Sequence, residues 1–343
     1  MNQSYAIDVI IPIYNVEIYL KKCLESVKNQ TFTSFRVIMI NDGSSDKSGD
    51  IAKEYADTCH NFEYHTIPNG GPANARNYGI TFSSSKYIAF VDSDDTVAPD
   101  YLEKLFYAAE DSQADVVFCN HNLYYENANM LLKVKIRKLK KGVYAPDQIV
   151  KMLIHDFYAR SYPWNKLWKR SLFTDNNVTF PKMFFEDIPT VLTLCNQANK
   201  IVSIDDALYN YTKRSNSIIS SFFTEKLNDY TKTLGAAISI LRTSHHTLKN
   251  YRLAIYHFAF LIFCVNVYSV IHIHFEKRLI QGLWRNLTAA VCGIFYFLSA
   301  KFMLPNEPVP DLPYIIKEPE YYKNKTENSQ SLRKRFVKKF TKH

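Results

Sequence analysis

Residues 87–95 read Tyr-Ile-Ala-Phe-Val-Asp-Ser-Asp-Asp: a short apolar run that ends abruptly in a cluster of carboxylates. The run is continuous rather than alternating, which suits a strand covered on both faces. The same layout occurs twice upstream. Residues 7–15 (IDVIIPIYN) end in Tyr14-Asn15, and residues 35–44 (FRVIMINDGS) end in Asn41-Asp42-Gly43-Ser44. Apolar spacing predicts helices over Val16–Asn29, Ser48–Tyr55 and Ala73–Ile80, and Tyr64–Ile67 reads as another short strand. Strands alternating with helices make parallel βαβ units. In such sheets ligands bind at the carboxyl ends of the strands. The three polar clusters are therefore expected to converge on one sheet edge.

Asp92, Asp94 and Asp95 repel one another unless a cation or hydrogen bonds compensate. A loop of this kind suits Mg2+ or Mn2+, which take hard oxygen ligands and leave positions for diphosphate oxygens. The competing reading is local, with Asp94 or Asp95 capping a helix over Asp100–Glu110. Asp42 could accept hydrogen bonds from a base or ribose, or simply serve the Gly43 turn. Arg76, beyond the loop Asn69-Gly70-Gly71-Pro72, could stack on a base or bind phosphate, or be a surface charge on a helix.

The chain has 343 residues, of which 47% are hydrophobic, enough for a large core and against global disorder. Its formal net charge of +9 is local. Basic residues crowd into Lys133–Lys141, where 133–137 alternates like a half-exposed strand, and into Ser331–His343. This suggests docking surfaces. Leu332, Phe336 and Phe340 give the tail an amphipathic helical pattern suited to an anionic lipid surface, against a solvated tail or a nucleic-acid patch. No finger spacing, helix-turn-helix or RNA-binding signature is apparent, so nucleic acid is not expected as a partner. The six cysteines form no CxxC and read as buried free thiols. The first residues read as a strand rather than a cleavable signal. A helix is expected over Ala145–His155 and another within Met183–Cys195; 253–271 and 287–304 read as packed or interfacial helices rather than bilayer spans.

Taken together, Pro12-x-Tyr14-Asn15, Asn41-Asp42-Gly43-Ser44, Asn69-x-Gly71-x-Ala73-x-Ala75-Arg76-Asn77-x-Gly79 and Phe90-x-Asp92-x-Asp94-Asp95 resemble glycosyltransferase family 2 in order and spacing. The likeness continues more loosely through Trp164-Asn165-Lys166-Leu167, Phe185-Glu186-Asp187 and Tyr211-x-x-Arg214-x-x-Ser217. Asp8 departs from the pattern, in which a small or apolar neutral residue is more usual.

The resemblance implies an α/β GT-A fold, a Rossmann-like nucleotide-diphospho-sugar transferase domain, with a C-terminal helical region. Residues 1–222 would form the catalytic domain, with a donor-binding half 1–110 and an acceptor half 111–222. Residues 223–304 would be helical, and 305–343 a Pro-rich linker and basic tail. By the same resemblance Pro12, Tyr14, Asn15, Asp42, Arg76, Asp92 and Arg214 hold the nucleotide-sugar, a UDP-sugar first of all. Asp94 and Asp92 hold Mn2+ or Mg2+. Asp187 is the general base with Glu186 beside it, and Trp164, Asn165 and Lys166 shape the acceptor side. The expected reaction is inverting transfer to a hydroxyl of a glycan or lipid-linked acceptor, in surface polysaccharide synthesis at the inner, cytoplasmic face of the cell membrane. A non-catalytic nucleotide-sugar-binding scaffold stays open. A nucleotidyltransferase would need a glycine-rich basic phosphate loop where this chain has Pro12-Ile13-Tyr14-Asn15.

Overall fold

The computed structural model describes residues 4–213 except 128–129, 135–137 and 155–158, plus positions 229, 232, 233, 236, 237 and 240. These fall within one compact unit, Met1–Phe258. Arg214, the basic tail, the stretches 253–271 and 287–304, Cys264 and Cys292 lie outside the described residues.

The first half follows the expected alternation: β1 (Ile7–Ile13), α1 (Glu17–Lys28), β2 (Phe35–Asn41), α2 (Ser48–Thr58), β3 (Phe62–Thr66), α3 (Pro72–Phe82) and β4 (Tyr87–Phe90). The strands β3, β2, β1 and β4 lie side by side and parallel. The chain moves outward from β1 to β3 and then returns through α3 to β4, on the other side of β1. This reversal makes the carboxyl ends of β1 and β4 a switch point, where a crevice opens.

Two details of β1 fit that position. Ile13 O accepts from Asp42 N–H on the β2 side, and Ile10 O accepts from Val91 N–H on the β4 side. Pro12 therefore faces the β4 side, past the last β1–β4 pair at Ile10–Phe90, where its missing N–H costs no ladder bond. Helix α3 buries only small residues and Arg76 against the sheet. A Cβ at Gly79 would meet Ile10 Cγ2 at 2.5 Å, so glycine lets α3 approach β1 closely.

The second half departs from a simple parallel sheet. After β5 (Thr96–Val97) and α4 (Tyr101–Ser112) come β6 (Val116–Asn127), β7 (Met130–Val134), β8 (Gly142–Tyr144), α5 (Pro146–Ile154), β9 (Lys166–Lys169), α6 (Ser171–Thr174), α7 (Asp187–Gln197) and β10 (Ile201–Lys213). The sheet order is β3-β2-β1-β4-β9-β6-β10-β5, with β7 paired to β6 and β8 to β10. Strand β9 is antiparallel to both β4 and β6 and joins the two halves through Tyr87–Lys169, Ile88–Trp168 and Ala89–Leu167. Pattern reading does not find β6, β9 or the first part of β10. In β10 the register shifts twice against β6 and breaks the alternation, and β9 has only four residues. Cys23, Cys59, Cys119 and Cys195 are buried free thiols, as the sequence suggests. Among the described residues no helix is long and apolar enough to cross a membrane.

Asp8 is fully buried near the start of β1. One oxygen accepts from Arg36 Nε at 2.9 Å; the other accepts from Ser83 Oγ and from the amides of Ser84 and Ser85 at 2.8–2.9 Å. Burial alone would raise its pKa, but the bonds from Arg36, Ser85 and Ser83 outweigh it and leave the carboxyl below its ordinary value. Asp8 thus ties β1 to β2 and to the turn that launches β4. Asp8→Asn is expected to cost about 3 kcal/mol in urea unfolding at neutral pH. A depressed carboxyl stabilises above its unfolded pKa and stops doing so as pH falls through its folded value. The gap between wild type and variant should therefore close in acid.

Candidate active site

The rim of the crevice is made by three laced loops. At the exit of β1, Tyr14 is half exposed, and Asn15 adopts a left-handed backbone (φ 48). Asn15 Oδ1 accepts from Ser45 N–H at 2.9 Å, and Asn15 N–H donates to Ser44 Oγ at 3.2 Å. At the exit of β2, Asn41 Oδ1 accepts from Ser44 N–H. Asp42 is buried, with its two oxygens accepting from the amides of Gly70 and Gly71 at 2.9 and 2.8 Å. Gly71 has φ 86, a conformation glycine adopts without strain. Asp42 therefore builds the loop that leads into α3, rather than offering a free carboxylate at the rim.

At the exit of β4 the acidic cluster divides. Asp95 is fully buried; Oδ2 accepts from Tyr209 Oη at 2.8 Å and Oδ1 from Thr212 N–H at 2.7 Å. Tyr209 Oη also accepts from Asp92 N–H at 3.0 Å, so β10 grips this loop at both ends. Burial, then the charges of Asp94 and Asp92, push the Asp95 carboxyl well up. Asp92 and Asp94 stay partly accessible at the mouth. Neither Asp94 nor Asp95 caps α4, whose N-cap is Asp100.

Arg76 joins this loop to a distant part of the chain. It is buried on α3, and its Nη2 donates to Asp92 at 2.9 Å while Nη1 donates to Glu186 at 2.7 Å. Its guanidinium also lies over the ring of Phe180 at 5.5 Å. Burial opposes the charge, but Asp92, then Glu186, then Asp187 hold Arg76 firmly protonated. Arg76 is thus neither a surface charge nor a free phosphate ligand; it is an ionic tie.

Asp187 is the first residue of α7, and its Oδ1 accepts from Ile188 N–H at 2.9 Å. Burial, then the charge of Glu186, push its carboxyl up to about 7, while Arg76 pulls the other way. Phe185, just before the pair, has φ 62. A bulky residue in that region costs about 1–3 kcal/mol and marks a backbone held by its surroundings.

Of the residues expected on the acceptor side, Trp164 is buried in an aromatic stack, and Asn165 and Lys166 are buried beside it. Trp164 lies almost parallel to Tyr162 (centroids 4.6 Å apart, 9°) and to Tyr209 (4.2 Å, 18°), with Tyr211 at 5.3 Å. Asn165 is buried and donates to Cys119 O at 2.8 Å. Lys166 is fully buried, and its ammonium donates to Arg160 O, Tyr162 O and Asn165 Oδ1. Burial pushes it down to about 7. Neither Asn165 nor Lys166 is placed to touch a bound acceptor; their polar atoms are spent on the chain itself. Of the tyrosines around Trp164, Tyr211 falls within the looser likeness that runs to Ser217, and the sequence reading gave none of them a role. The one signal was Tyr209 and Tyr211 two residues apart, on one face of a strand.

Among the described residues no three His, Cys, Asp or Glu side chains group into a complete protein cage for a metal. Asp92 and Asp94 nevertheless fit a divalent ion bound through one or two carboxylates plus ligand oxygens. Their field is felt nearby: after burial, Asp95, Asp94 and Asp92 push the Cys23 thiol up.

The sequence profile of Glycosyl transferase family 2 matches residues 8–186. The uncharacterized glycosyltransferase EpsJ of Bacillus subtilis is 32% identical over 62% of this chain and 62% of its own, so the chain spans under two thirds of that relative. Glycosyltransferase GlyG of Streptococcus pneumoniae is 32% identical over 73% of this chain and 88% of its own. Among solved structures, S. aureus TarS 1–349 in complex with UDP-GlcNAc superimposes with a TM-score of 0.65, covering 91% of this chain and 98% of that one at 19% identity, a likeness of fold. A profile match over half of the chain, laid on a GT-A-like sheet whose strand exits carry the matching motifs, leads to one conclusion: the chain belongs to glycosyl transferase family 2.

Proposed function

We propose that the protein is an inverting, metal-dependent glycosyltransferase that moves a sugar from a nucleotide-sugar, a UDP-sugar first of all, to a hydroxyl of a glycan or lipid-linked acceptor in surface polysaccharide synthesis. The observation that carries this reading is the Arg76 bridge, which brings the acidic loop and the Glu186–Asp187 pair, distant in sequence, to one guanidinium. Tyr14 offers a ring to the base, and Pro12, Asn15 and the Asp42-built loop shape the nucleotide cradle. Asp92 and Asp94 are the residues to hold Mn2+ or Mg2+, which would neutralise charge developing on the diphosphate. The UDP-GlcNAc held by TarS, a protein of similar fold, supports the donor class.

Asp187 takes the proton of the acceptor hydroxyl as that oxygen bonds to the anomeric carbon. The bond from that carbon to the diphosphate breaks, and the nucleoside diphosphate leaves from the opposite face. A base raised toward neutrality suits this role, because proton transfer is most effective when its pKa lies near the working pH. Glu186 holds Arg76 and adds the repulsion that keeps Asp187 basic. The chain is further proposed to work at the inner face of the cell membrane, docked by its basic tail, residues 331–343.

Asp187→Asn should leave donor affinity nearly intact in calorimetry and lower transfer by on the order of 10²–10⁴-fold. The base must be deprotonated, so wild-type kcat/KM should rise with pH through about 7, and Asp187→Asn should lack that limb. Asp94→Ala should weaken Mn2+-dependent donor binding by roughly tenfold or more, with little change when the metal is omitted. Deleting residues 331–343 should shift the protein from membrane to soluble fractions.

A further inference from the structure

We propose that the rings of Tyr162 and Tyr211 form the platform on which a pyranose ring of the acceptor stacks, with Lys166 as the positioning residue that holds Tyr162 there. This deepens the glycosyltransferase reading and rests on it.

The stack has a buried layer and an accessible layer. Trp164 and Tyr209 are buried, whereas Tyr162 and Tyr211 are half-buried, with centroids 6.0 Å apart. All four rings therefore support one another, but the last two retain accessible surface. The inner layer is fixed: Tyr209 is tied to Asp95 and Asp92, and Trp164 O accepts from Tyr101 Oη at 2.8 Å. A platform so backed loses little freedom when a ligand lands on it.

Its position is next to the chemistry. Tyr211 lies between Tyr209, whose hydroxyl donates to Asp95 at 2.8 Å, and Thr212, whose N–H donates to Asp95 at 2.7 Å, so its backbone runs alongside the acidic loop. The platform thus adjoins the loop assigned to the donor diphosphate, to which its strand is hydrogen-bonded through Tyr209 and Thr212. It also carries no formal charge. His121, edge-on to Trp164 at 5.1 Å, is kept neutral because burial pushes it down to about 3. A neutral aromatic surface with phenolic hydroxyls suits a sugar ring, which presents C–H groups on its face and hydroxyls on its edge; it does not suit a phosphate.

Lys166 explains how Tyr162 is held. Its three N–H bonds match three acceptors, two of them the carbonyls of Arg160 and Tyr162 in the segment before β9. The ammonium sits over the Phe118 ring at 4.4 Å. Removing the charge leaves those carbonyls without their donor and frees the segment that carries Tyr162.

The test uses saturation-transfer NMR with the β-methyl glycosides of glucose, galactose and N-acetylglucosamine as probes, alongside calorimetry with UDP-GlcNAc. Wild type should bind at least one glycoside. Tyr162→Ala and Tyr211→Ala should each weaken it about tenfold, whereas Tyr162→Phe and Tyr211→Phe keep most of the affinity. Lys166→Met should weaken it in wild type but add nothing in the Tyr162→Ala background, as expected for a residue acting through that ring. Glycoside binding that survives loss of either ring, or absent from wild type while UDP-GlcNAc binds, overturns the platform. Additive losses overturn the role of Lys166. Failure of UDP-, GDP- and dTDP-sugars alike to bind, with glycoside contact intact, would count against the glycosyltransferase reading instead.

Discussion

The site depends on one buried cation. Arg76 sits between Asp92, which follows β4, and Glu186, which precedes α7, and without it these carboxylates would repel each other and Asp187 as well. Removing a partner from such a cluster is costly because the remaining charges stay buried. The helix that carries Arg76 reaches this depth because its packed face is Ala73, Ala75 and Gly79. The smallness of α3 at the sheet is therefore a precondition of the electrostatics. Arg76 Nε is buried without a hydrogen-bond partner, which makes the two Nη bonds the anchors of the guanidinium.

The same cluster gives three carboxylates of one loop different duties. Asp95 is drawn inward by Tyr209 and Thr212 and becomes structural. Asp92 is shared with Arg76, and Asp94 remains beside it at the mouth. Environment rather than residue type divides the labour. Asp187 illustrates the same point, since burial and Glu186 raise its carboxyl above that of a solvated aspartate.

The first half of the fold was readable because its strands are covered on both faces and end in polar residues; Ile7–Ile13 and Phe35–Asn41 emerge nearly as expected. The placement of Arg76 was not readable, since a residue inside a helix pattern gives no hint that it is buried in an ion cluster. Asp8 looked anomalous and proved to be a buried tie whose partners Arg36 and Ser83–Ser85 are remote in sequence. The acceptor half was least legible. Strand β10 is interrupted by bulges, and the motif Trp164-Asn165-Lys166 gave no hint that the partly accessible rings beside it are Tyr162 and Tyr211. Aromatic residues fill cores and line clefts alike, and composition cannot separate the two uses.

Strand β9 has a further consequence for recombination. It is hydrogen-bonded to β4 on one side and β6 on the other, so the first and second halves of the sheet share one ladder. Among the described residues this ladder leaves no seam at which the second half of a relative's sheet could be spliced onto the first half of this one. A working chimera would have to import β9 together with the segment before it and keep the Ala89–Leu167 register, because a slip of one residue turns every side chain of a strand to the opposite face. Single side-chain exchanges leave this shared ladder intact, whereas an exchange of halves must rebuild it.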